Sequence, residues 1–369
     1  MVSSILFLCN TYMQLIAAIQ IRRKMFVDAS ADLLLSNHSV NTEKVASRLK
    51  KMNMFDNVKI INSKEFIYQQ NKAQDILDVI RLSFNIGEKY HDFLINKNCS
   101  YDKIFYFNYD LLLYTVIDEC RKNGKNPIFC RFEEGIHTYQ SMLVHECDAN
   151  GNRVRIINRI RTLLRKQCIS EITAEYYVFF DGLFPDCDKK VHKIPLIDRN
   201  DQELVRILNY CFDYCPEEDI YEKKYIFFGA SRAIDGHETN ETQIVLKIAD
   251  MVGKDNLLVK MHPRDTRNVY EDHGITVSRV SSVPWEVIQM NHDFSKHIFI
   301  TMSSGSVISG CALLDDEVET YLLYPIDKEM DTGFNEFCDV VLKELIMKLH
   351  GQSKCCRHQI INSLEEIVL

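Results

Sequence analysis

A histidine flanked by cations follows an apolar run in the second half of the chain. His262 lies between Lys260 and Arg264, with Pro263 directly after it. The proline fixes the backbone beyond the histidine, and the cations raise the local positive potential, which suits a departing phosphate group. Histidine can also donate a proton near neutral pH. The pattern indicates a phosphate-binding or acid-catalytic loop, but a loop histidine among ordinary surface charges would have the same sequence.

Two adjacent acids and a glycine form a second candidate site. Glu133, Glu134 and Gly135 follow the apolar residues 127–132, which predict a strand. One carboxylate could serve as a general base while the other holds backbone or substrate hydroxyl groups. A turn with solvated acids is the simpler interpretation, because glycine is common in turns.

Small hydroxyl residues form a third candidate site. Ser303, Ser304 and Gly305 lie between a predicted strand and a segment of helical pattern. Hydroxyl and backbone N–H groups at the N-terminus of a helix favour a phosphate, although a plain helix cap uses the same residues. Glu286 precedes this segment, and a carboxylate commonly binds ribose hydroxyl groups.

All three candidate sites are expected at the carboxyl ends of parallel strands. Apolar runs of strand length alternate with helix-length segments, which indicates an α/β fold whose parallel sheets bind ligands at this edge. Asn10 and Thr11 follow the first predicted strand, where they are expected to cap a helix and to belong to the site. The predicted strands are 4–9, 31–35, 58–61, 103–107, 127–132, 176–180, 225–229, 256–260, 275–277, 297–301 and 319–323.

The length of the chain predicts two domains. Single hydrophobic cores stop growing near ~250–300 residues, and this chain has 369. Pro185 and Pro195 lie in a loop-rich stretch that suggests an inter-domain region. We expect one Rossmann-like domain over 1–195 and a second over 196–369, facing a central cleft, with helices from about Gly333 to the end.

The composition excludes several classes of function. A net charge of −8 argues against nucleic-acid binding, and the sequence has neither a Gly-x-Gly-x-x-Gly segment after the first strand nor a Walker loop. Thirteen scattered cysteines and the lack of a long apolar run predict a soluble protein of the cytoplasm. Cys355, Cys356 and His358 could suggest a metal cluster, but they lack partners at ligand spacing, so free thiols are expected.

Two further segments allow more than one interpretation. Residues 153–166 place apolar side chains on one helical face among cations, which fits either a packed helix or a peripheral contact with the inner face of a membrane. Asp186 and Asp188 imitate an Asp-x-Asp metal motif, but they lie in the predicted inter-domain stretch. We therefore expect no metal site.

The order of the motifs and their positions at strand ends resemble the bacterial sialyltransferases. In those families an acid-acid-glycine motif, a His-Pro motif and a serine motif recur in this order on a GT-B fold, and the lipooligosaccharide sialyltransferase family is the most similar. The resemblance extends over most of the chain. It implies an inverting, metal-independent and cofactor-free transfer of sialic acid from CMP-sialic acid to a galactose-type hydroxyl of a surface glycan such as lipooligosaccharide or capsule. It also implies a homodimer in which the domain 1–195 serves the acceptor and the domain 196–369 binds the donor.

The resemblance also assigns roles to single residues. His262 would meet the CMP phosphate as an acid. Lys260 and Glu286 would contact cytosine and ribose, while Ser303 and Ser304 would contact the phosphate oxygens. Further candidate substrate-binding residues are Asn10, Thr11, Glu133, Gly229, Ser231, Pro263, Arg264 and Gly305.

The general base has two candidates. In relatives of the Pasteurella type, the second acid of the acid-acid-glycine motif takes the acceptor proton, and the matching residue here is Glu134. In the lipooligosaccharide family the base precedes the histidine in the second domain, which matches Asp235 and is slightly favoured. The alternatives to a sialyltransferase are a GT-B enzyme that uses another nucleotide sugar, such as a UDP-hexose, and a non-catalytic nucleotide- or glycan-binding protein.

Overall fold

The chain forms two compact units in the computed structural model. The first comprises Met1–Glu134 and Ser141–Pro195, and the second comprises Gly135–Gln140 and Leu196–Leu369. Gly135–Gln140, which follows the two adjacent acids, therefore belongs to the second unit, although the residues on both sides of it in the sequence belong to the first. The structure describes residues 2–63, 77, 94–96, 98–143, 163, 172–184, 188–216, 219–230, 232–234, 236–280, 282–327, 338–352 and 357–367.

The first unit is built on a seven-stranded sheet in which every pair of neighbouring strands is parallel. The order is β3-β2-β1-β4-β5-β6-β7. Strands β2 and β3 are added on one side of β1, and strands β4 to β7 are added on its other side. Ligands bind at such a reversal in open α/β sheets. The strands are β1 Ser4–Cys9, β2 Ser30–Ser36, β3 Asn57–Ile61, β4 Lys103–Tyr106, β5 Ile128–Phe132, β6 Thr173–Val178 and β7 Lys190–Lys193.

Side-chain caps mark where two helices of this half of the chain begin. The extended residue Thr11 accepts a hydrogen bond from the N–H of Gln14, and Asp110 accepts one from the N–H of Leu113. Side-chain oxygens at these positions satisfy N–H groups that the first turn of a helix leaves without a partner. The helices are α1 Tyr12–Lys24, α2 Thr42–Lys51, α3 Leu111–Lys122 and α4 Ile136–Leu143.

The second unit is built on a six-stranded parallel sheet of order β10-β9-β8-β11-β12-β13. Its chain reverses at β8, between β9 and β11. The strands are β8 Tyr225–Phe228, β9 Leu257–Lys260, β10 Thr276–Ser278, β11 Ile298–Thr301, β12 Glu319–Leu322 and β13 Arg357–Ile360. The helices are α5 Gln202–Phe212, α6 Glu241–Val252, α7 Trp285–Asn291, α8 Gly305–Leu314 and α9 Lys343–Gln352.

The predicted α/β class with two parallel sheets is confirmed, and two strands were missed. Strand β7 lies in the stretch predicted as loop-rich, and β13 lies in the stretch predicted as helical. Both are edge strands with polar sequences, KVHK and RHQI, and β7 has no buried position at all. An edge strand packs less side-chain surface, so it need not contain the apolar run that marks the inner strands. Among the helices described, none is long and apolar enough to cross a membrane.

Candidate active site

Three loops meet where strands β8, β9 and β11 of the second unit end. The N–H of Gly229, which follows β8, donates a hydrogen bond of 2.9 Å to the carbonyl of Lys260 at the end of β9. A Cβ on Gly229 would lie 3.5 Å from the backbone nitrogen of His262. On the other side of β8, the hydroxyl of Thr301 donates to the carbonyl of Phe228 at 3.1 Å. The sheet therefore brings the histidine loop and the serine loop to either side of β8.

The backbone around His262 forms a tight turn that contacts one nitrogen of the ring. The N–H of Arg264 donates to Nδ1 at 3.3 Å, and the N–H of Asp265 donates to the carbonyl of His262 at 2.8 Å. Because Nδ1 accepts a hydrogen bond, the proton of a neutral ring is assigned to Nε2. The ring is half-buried, while Pro263 and Arg264 are exposed. In this tautomer, Nε2 is the ring nitrogen that donates a proton.

The serine loop does not behave as a plain helix cap. Ser304 occupies the N-cap position of α8, but its side chain makes no capping hydrogen bond. Instead, the N–H of Ser304 donates to the hydroxyl oxygen of Thr301 at 3.0 Å. Ser303, Ser304 and Gly305 are all half-buried. The hydroxyl-bearing residues Ser303 and Ser304 therefore stand directly before the N-terminus of α8, a position that favours an anion.

Lys260 and Glu286 bring opposite charges close together beside this edge. Burial lowers the pKa of Lys260 to about 8, and the nearby Glu286 carboxylate opposes that shift. Burial raises the pKa of Glu286 above its ordinary value, against the effects of a backbone hydrogen bond and of Lys260. The ammonium group of Lys260 also lies 6.0 Å from the centre of the Trp285 ring. The pair could bind a ligand that has both hydrogen-bond acceptors, for Lys260, and hydrogen-bond donors, for Glu286.

Glu241 is a buried acid near the same loops that the sequence analysis did not identify. It is the first residue of α6, and its Oε2 accepts a hydrogen bond of 3.1 Å from the N–H of Ala230. Burial raises the pKa of Glu241 to about 7, although that hydrogen bond favours the ionised form. Acids are common in the first turn of a helix, so nothing in the sequence around Glu241 indicated its contact with Ala230.

The first unit has a polar network at the point where its strand order reverses. The hydroxyl of Thr11 donates to the carboxylate of Glu134 at 2.8 Å. The side-chain amide of Asn10 donates to Asp110 at 3.0 Å, and Gln14 binds Asn108 at 2.9 Å. The network therefore joins the loops that follow β1, β4 and β5.

The two adjacent acids have different environments. Glu133 is only 1% exposed, and its carboxylate accepts a hydrogen bond of 3.0 Å from the N–H of Phe179, beyond β6. Glu134 is half-buried and accepts the hydroxyl proton of Thr11. Gly135 has a φ of 74°, which favours glycine. The motif thus contains one acid that binds backbone and one that remains partly accessible.

Some of the predicted residues lie outside the part of the chain that the structure describes. These are Ser231, Asp235, Asp186, Cys187, Cys355, Cys356 and all of the basic segment 153–166 except Leu163. His358 is described and is buried on β13, and burial lowers its pKa to about 4. Among the described residues, no three His, Cys, Asp or Glu side chains are grouped as ligands for a metal ion.

The sequence of the chain matches a known protein family. A family model described as alpha-2,8-polysialyltransferase (POLYST) matches residues 5–322. No curated protein matches the chain. The structure of the chain is similar to the crystal structure of an alpha/beta-galactoside alpha-2,3-sialyltransferase from Photobacterium phosphoreum, with a TM-score of 0.57 and 13% identity over 98% of this chain and 99% of that one.

Two other solved structures have lower scores. A UDP-glucosyltransferase from Polygonum tinctorium has a TM-score of 0.45 and 10% identity over 87% of this chain and 80% of that one. A UDP-N-acetylglucosamine 2-epimerase from Rickettsia bellii has a TM-score of 0.46 and 12% identity over 87% of this chain and 79% of that one. The predictions of a GT-B fold and of a bacterial sialyltransferase are confirmed, although the comparisons do not single out the lipooligosaccharide family.

Proposed function

The chain belongs to the alpha-2,8-polysialyltransferase family, and we propose that this glycosyltransferase moves sialic acid from CMP-sialic acid to a hydroxyl group of a glycan acceptor. The observation that carries the proposal is the meeting of the histidine and serine loops around β8, through the bonds of Gly229 to Lys260 and of Thr301 to Phe228. A leaving monophosphate needs both a proton donor and several N–H or O–H donors. Those loops supply them from one sheet edge.

The donor is held by the second unit in this proposal. The Ser303 and Ser304 hydroxyl groups and the first turn of α8 receive the phosphate oxygens, while Lys260 and Glu286 contact the cytidine part. The Ser304 side chain makes no capping hydrogen bond, which supports this role, because a hydroxyl group engaged in capping its own helix would be less available to a phosphate. Gly229, Pro263, Arg264 and Gly305 shape the same loops.

The reaction is an inverting displacement in this account. The bond between the anomeric carbon of sialic acid and the phosphate oxygen breaks, and its electron pair stays on the phosphate. The acceptor oxygen bonds to the opposite face of that carbon, and its proton passes to a carboxylate base. His262 donates its Nε2 proton, or a hydrogen bond, to the leaving phosphate. General acid–base assistance of this kind contributes about 10²–10⁴-fold per group.

The base is assigned to Glu134 or Asp235. The contact with Thr11 supports Glu134, because a base must be held in one orientation while remaining accessible. The resemblance to the lipooligosaccharide family supports Asp235, which lies outside the described residues. We retain both residues as candidates, and Asn10 and Thr11 as residues that organise the acceptor side.

The finer features of the proposal concern the acceptor and the setting. The acceptor hydroxyl is of galactose type on a surface glycan, the first unit serves that acceptor, and the enzyme is a homodimer. The basic segment 153–166 would contact the inner face of the cytoplasmic membrane when the acceptor is a glycolipid.

A donor screen tests the proposed function. The protein is supplied with a lactose-type acceptor and with CMP-sialic acid, UDP-glucose or UDP-N-acetylglucosamine, and released nucleotide is measured with and without EDTA. We expect CMP release only, at a rate that EDTA leaves unchanged, because His262 and the serines stabilise the phosphate without a cation. Release of UDP, binding of CMP without turnover, or a rate restored by manganese after chelation would each contradict the proposal.

A further inference from the structure

The side chain of Ile136 lies against the glycine that begins α8. A Cβ on Gly305 would stand 2.6 Å from Cγ2 of Ile136 and 3.6 Å from its Cβ. The shorter distance is well inside van der Waals contact, so a methyl group at position 305 cannot be accepted without movement. Both residues belong to the second unit, because Gly135–Gln140 groups with it. The loop with the proposed phosphate-binding serines therefore ends in direct contact with the residue that follows the acid-acid-glycine motif.

Ile136 is held too firmly to move away easily. It is 6% exposed, and it is the first residue of α4. The N–H of Thr138 donates to the carbonyl of Gly135 at 3.0 Å, which fixes the turn that carries the isoleucine. A side chain branched at Cβ also has few allowed χ1 rotamers, so Cγ2 cannot rotate out at low cost. The Cγ2 methyl group therefore limits how closely the backbone at Gly305 can approach α4.

The backbone of Gly305 gives no other reason for a glycine. Its φ is not among the positive values of the described chain, and it occupies the first position of a helix. Alanine at such a position would ordinarily favour the helix over the unfolded chain. The close approach of Ile136 is therefore the feature that requires glycine here.

The serine loop is fixed from two sides by these contacts. At one end, the N–H of Ser304 is bonded to Thr301, whose hydroxyl reaches back to β8. At the other end, Gly305 rests on Cγ2 of Ile136. A change at either support would move the hydroxyl groups and the helix N-terminus together.

We propose that Ile136 is a positioning residue for the donor phosphate, acting through its Cγ2 contact with Gly305 on the loop of Ser303 and Ser304. The inference rests on the proposed function, because that function places the phosphate at this loop. It gives the segment after the two acids a role in donor binding that is separate from the removal of the acceptor proton, whether Glu134 or Asp235 is the base. Ile136 itself touches neither substrate in this account.

A set of paired substitutions tests the inference. Gly305→Ala adds the methyl group that meets Cγ2, so we expect the Kd for CMP and the KM for CMP-sialic acid to rise by about tenfold or more. Adding Ile136→Ala removes Cγ2, and the remaining Cβ would be 3.6 Å away, which is ordinary contact. This double variant is expected to recover most of the affinity that the glycine substitution loses.

Ile136→Val combined with Gly305→Ala is the matched control. Valine keeps both γ carbons on Cβ, including the Cγ2 methyl group, and loses only the Cδ1 methyl group of isoleucine, so this double variant should stay as weak as Gly305→Ala alone. Equal recovery in the valine and alanine backgrounds, or an unchanged CMP affinity in Gly305→Ala, would overturn the inference. The melting temperature of each variant is measured alongside, because a merely structural contact would change stability without this pattern of CMP affinity.

Single substitutions cover the case in which Gly305→Ala does not fold. Ile136→Ala should weaken CMP binding severalfold, because the loop loses its support, whereas Ile136→Val should bind CMP as the unchanged protein does. Normal CMP binding by Ile136→Ala would contradict the inference. If the unchanged protein neither binds CMP nor transfers sialic acid, the proposed function itself fails, and the inference falls with it. If the unchanged protein transfers sialic acid but the variants do not show the expected pattern of CMP affinity, the inference about Ile136 fails and the proposed function stands.

Discussion

The hydroxyl of Thr11 donates a hydrogen bond of 2.8 Å to the carboxylate of Glu134, and these residues are 123 positions apart in the chain. The same hydroxyl oxygen accepts the N–H of Gln14 at 3.3 Å, so its own proton is left to point at the carboxylate. The residue that caps α1 therefore orients the second of the two acids that follow β5. An oriented, half-buried carboxylate is suited to take a proton from a sugar hydroxyl.

The identity of the base is decided by comparing Glu134→Gln with Asp235→Asn. Each substitution keeps the shape of the side chain and removes its basicity. We expect one variant to lose nearly all transfer while the other mainly changes the KM for the acceptor, because only the base takes part in proton removal. Steady-state kinetics with CMP-sialic acid measure both effects. If neither variant changes turnover, the base is a different residue.

Substitutions at Thr11 provide the control for Glu134. Thr11→Ser keeps the hydroxyl group and should transfer sialic acid normally, whereas Thr11→Val removes the donor and the helix cap together. The lost cap costs about 1 kcal/mol of stability. If Glu134 is the base, Thr11→Val also lowers turnover; if Asp235 is the base, stability changes and turnover does not.

The affinity for the donor should depend on pH through Lys260. Burial lowers the pKa of Lys260 to about 8, so the side chain is a cation below that pH and becomes neutral above it. We therefore expect the KM for CMP-sialic acid to rise as the pH increases through about 8. Lys260→Arg stays charged over this range. Its KM should be flat with pH, and a flat profile in the unchanged protein would contradict the role of Lys260.

Stability should depend on pH through Glu241. Burial raises the pKa of Glu241 to about 7, whereas an unfolded glutamate titrates near ~4.3, so the folded state holds the proton more tightly. The stability that this provides is present below about pH 4.3 and is lost as the pH rises toward 7. Glu241→Gln does not titrate.

Urea unfolding of Glu241→Gln and of the unchanged protein measures this effect. Other groups titrate in both proteins, so the difference in the free energy of unfolding isolates Glu241. The variant should gain stability relative to the unchanged protein as the pH rises from about 4.3 to about 7. A difference that stays constant across this range would show that Glu241 does not titrate as described.

Much of the fold could be predicted from the sequence because inner parallel strands are apolar runs. β1 and β11 are buried on both faces, and a strand buried in this way needs a continuous run of apolar residues, which is visible in the sequence. Strands β7 and β13 could not be found in this way, since an edge strand pairs through its backbone on one side and tolerates polar side chains.

The sequence predicted which motifs follow the end of a strand, as His262 and Ser304 do. The supporting contacts of the site could not be predicted, because they join residues that are distant in sequence. The approach of Ile136 to Gly305 depends on where α4 and α8 lie, and the bond from Ala230 to Glu241 depends on the path of the loop after β8. Neither contact leaves a pattern in residue type or spacing.

Acceptor-dependent release of CMP by the unchanged protein and by His262→Ala tests the central claim most directly. With CMP-sialic acid and a lactose-type acceptor, we predict steady CMP release and a sialylated product from the unchanged protein. His262→Ala should lower the rate by about 100-fold or more, with an unchanged circular dichroism spectrum, because the half-buried loop residue contributes its proton to the leaving phosphate rather than to the core. Near-normal turnover by a folded His262→Ala variant, or no CMP release by the unchanged protein, would contradict the account.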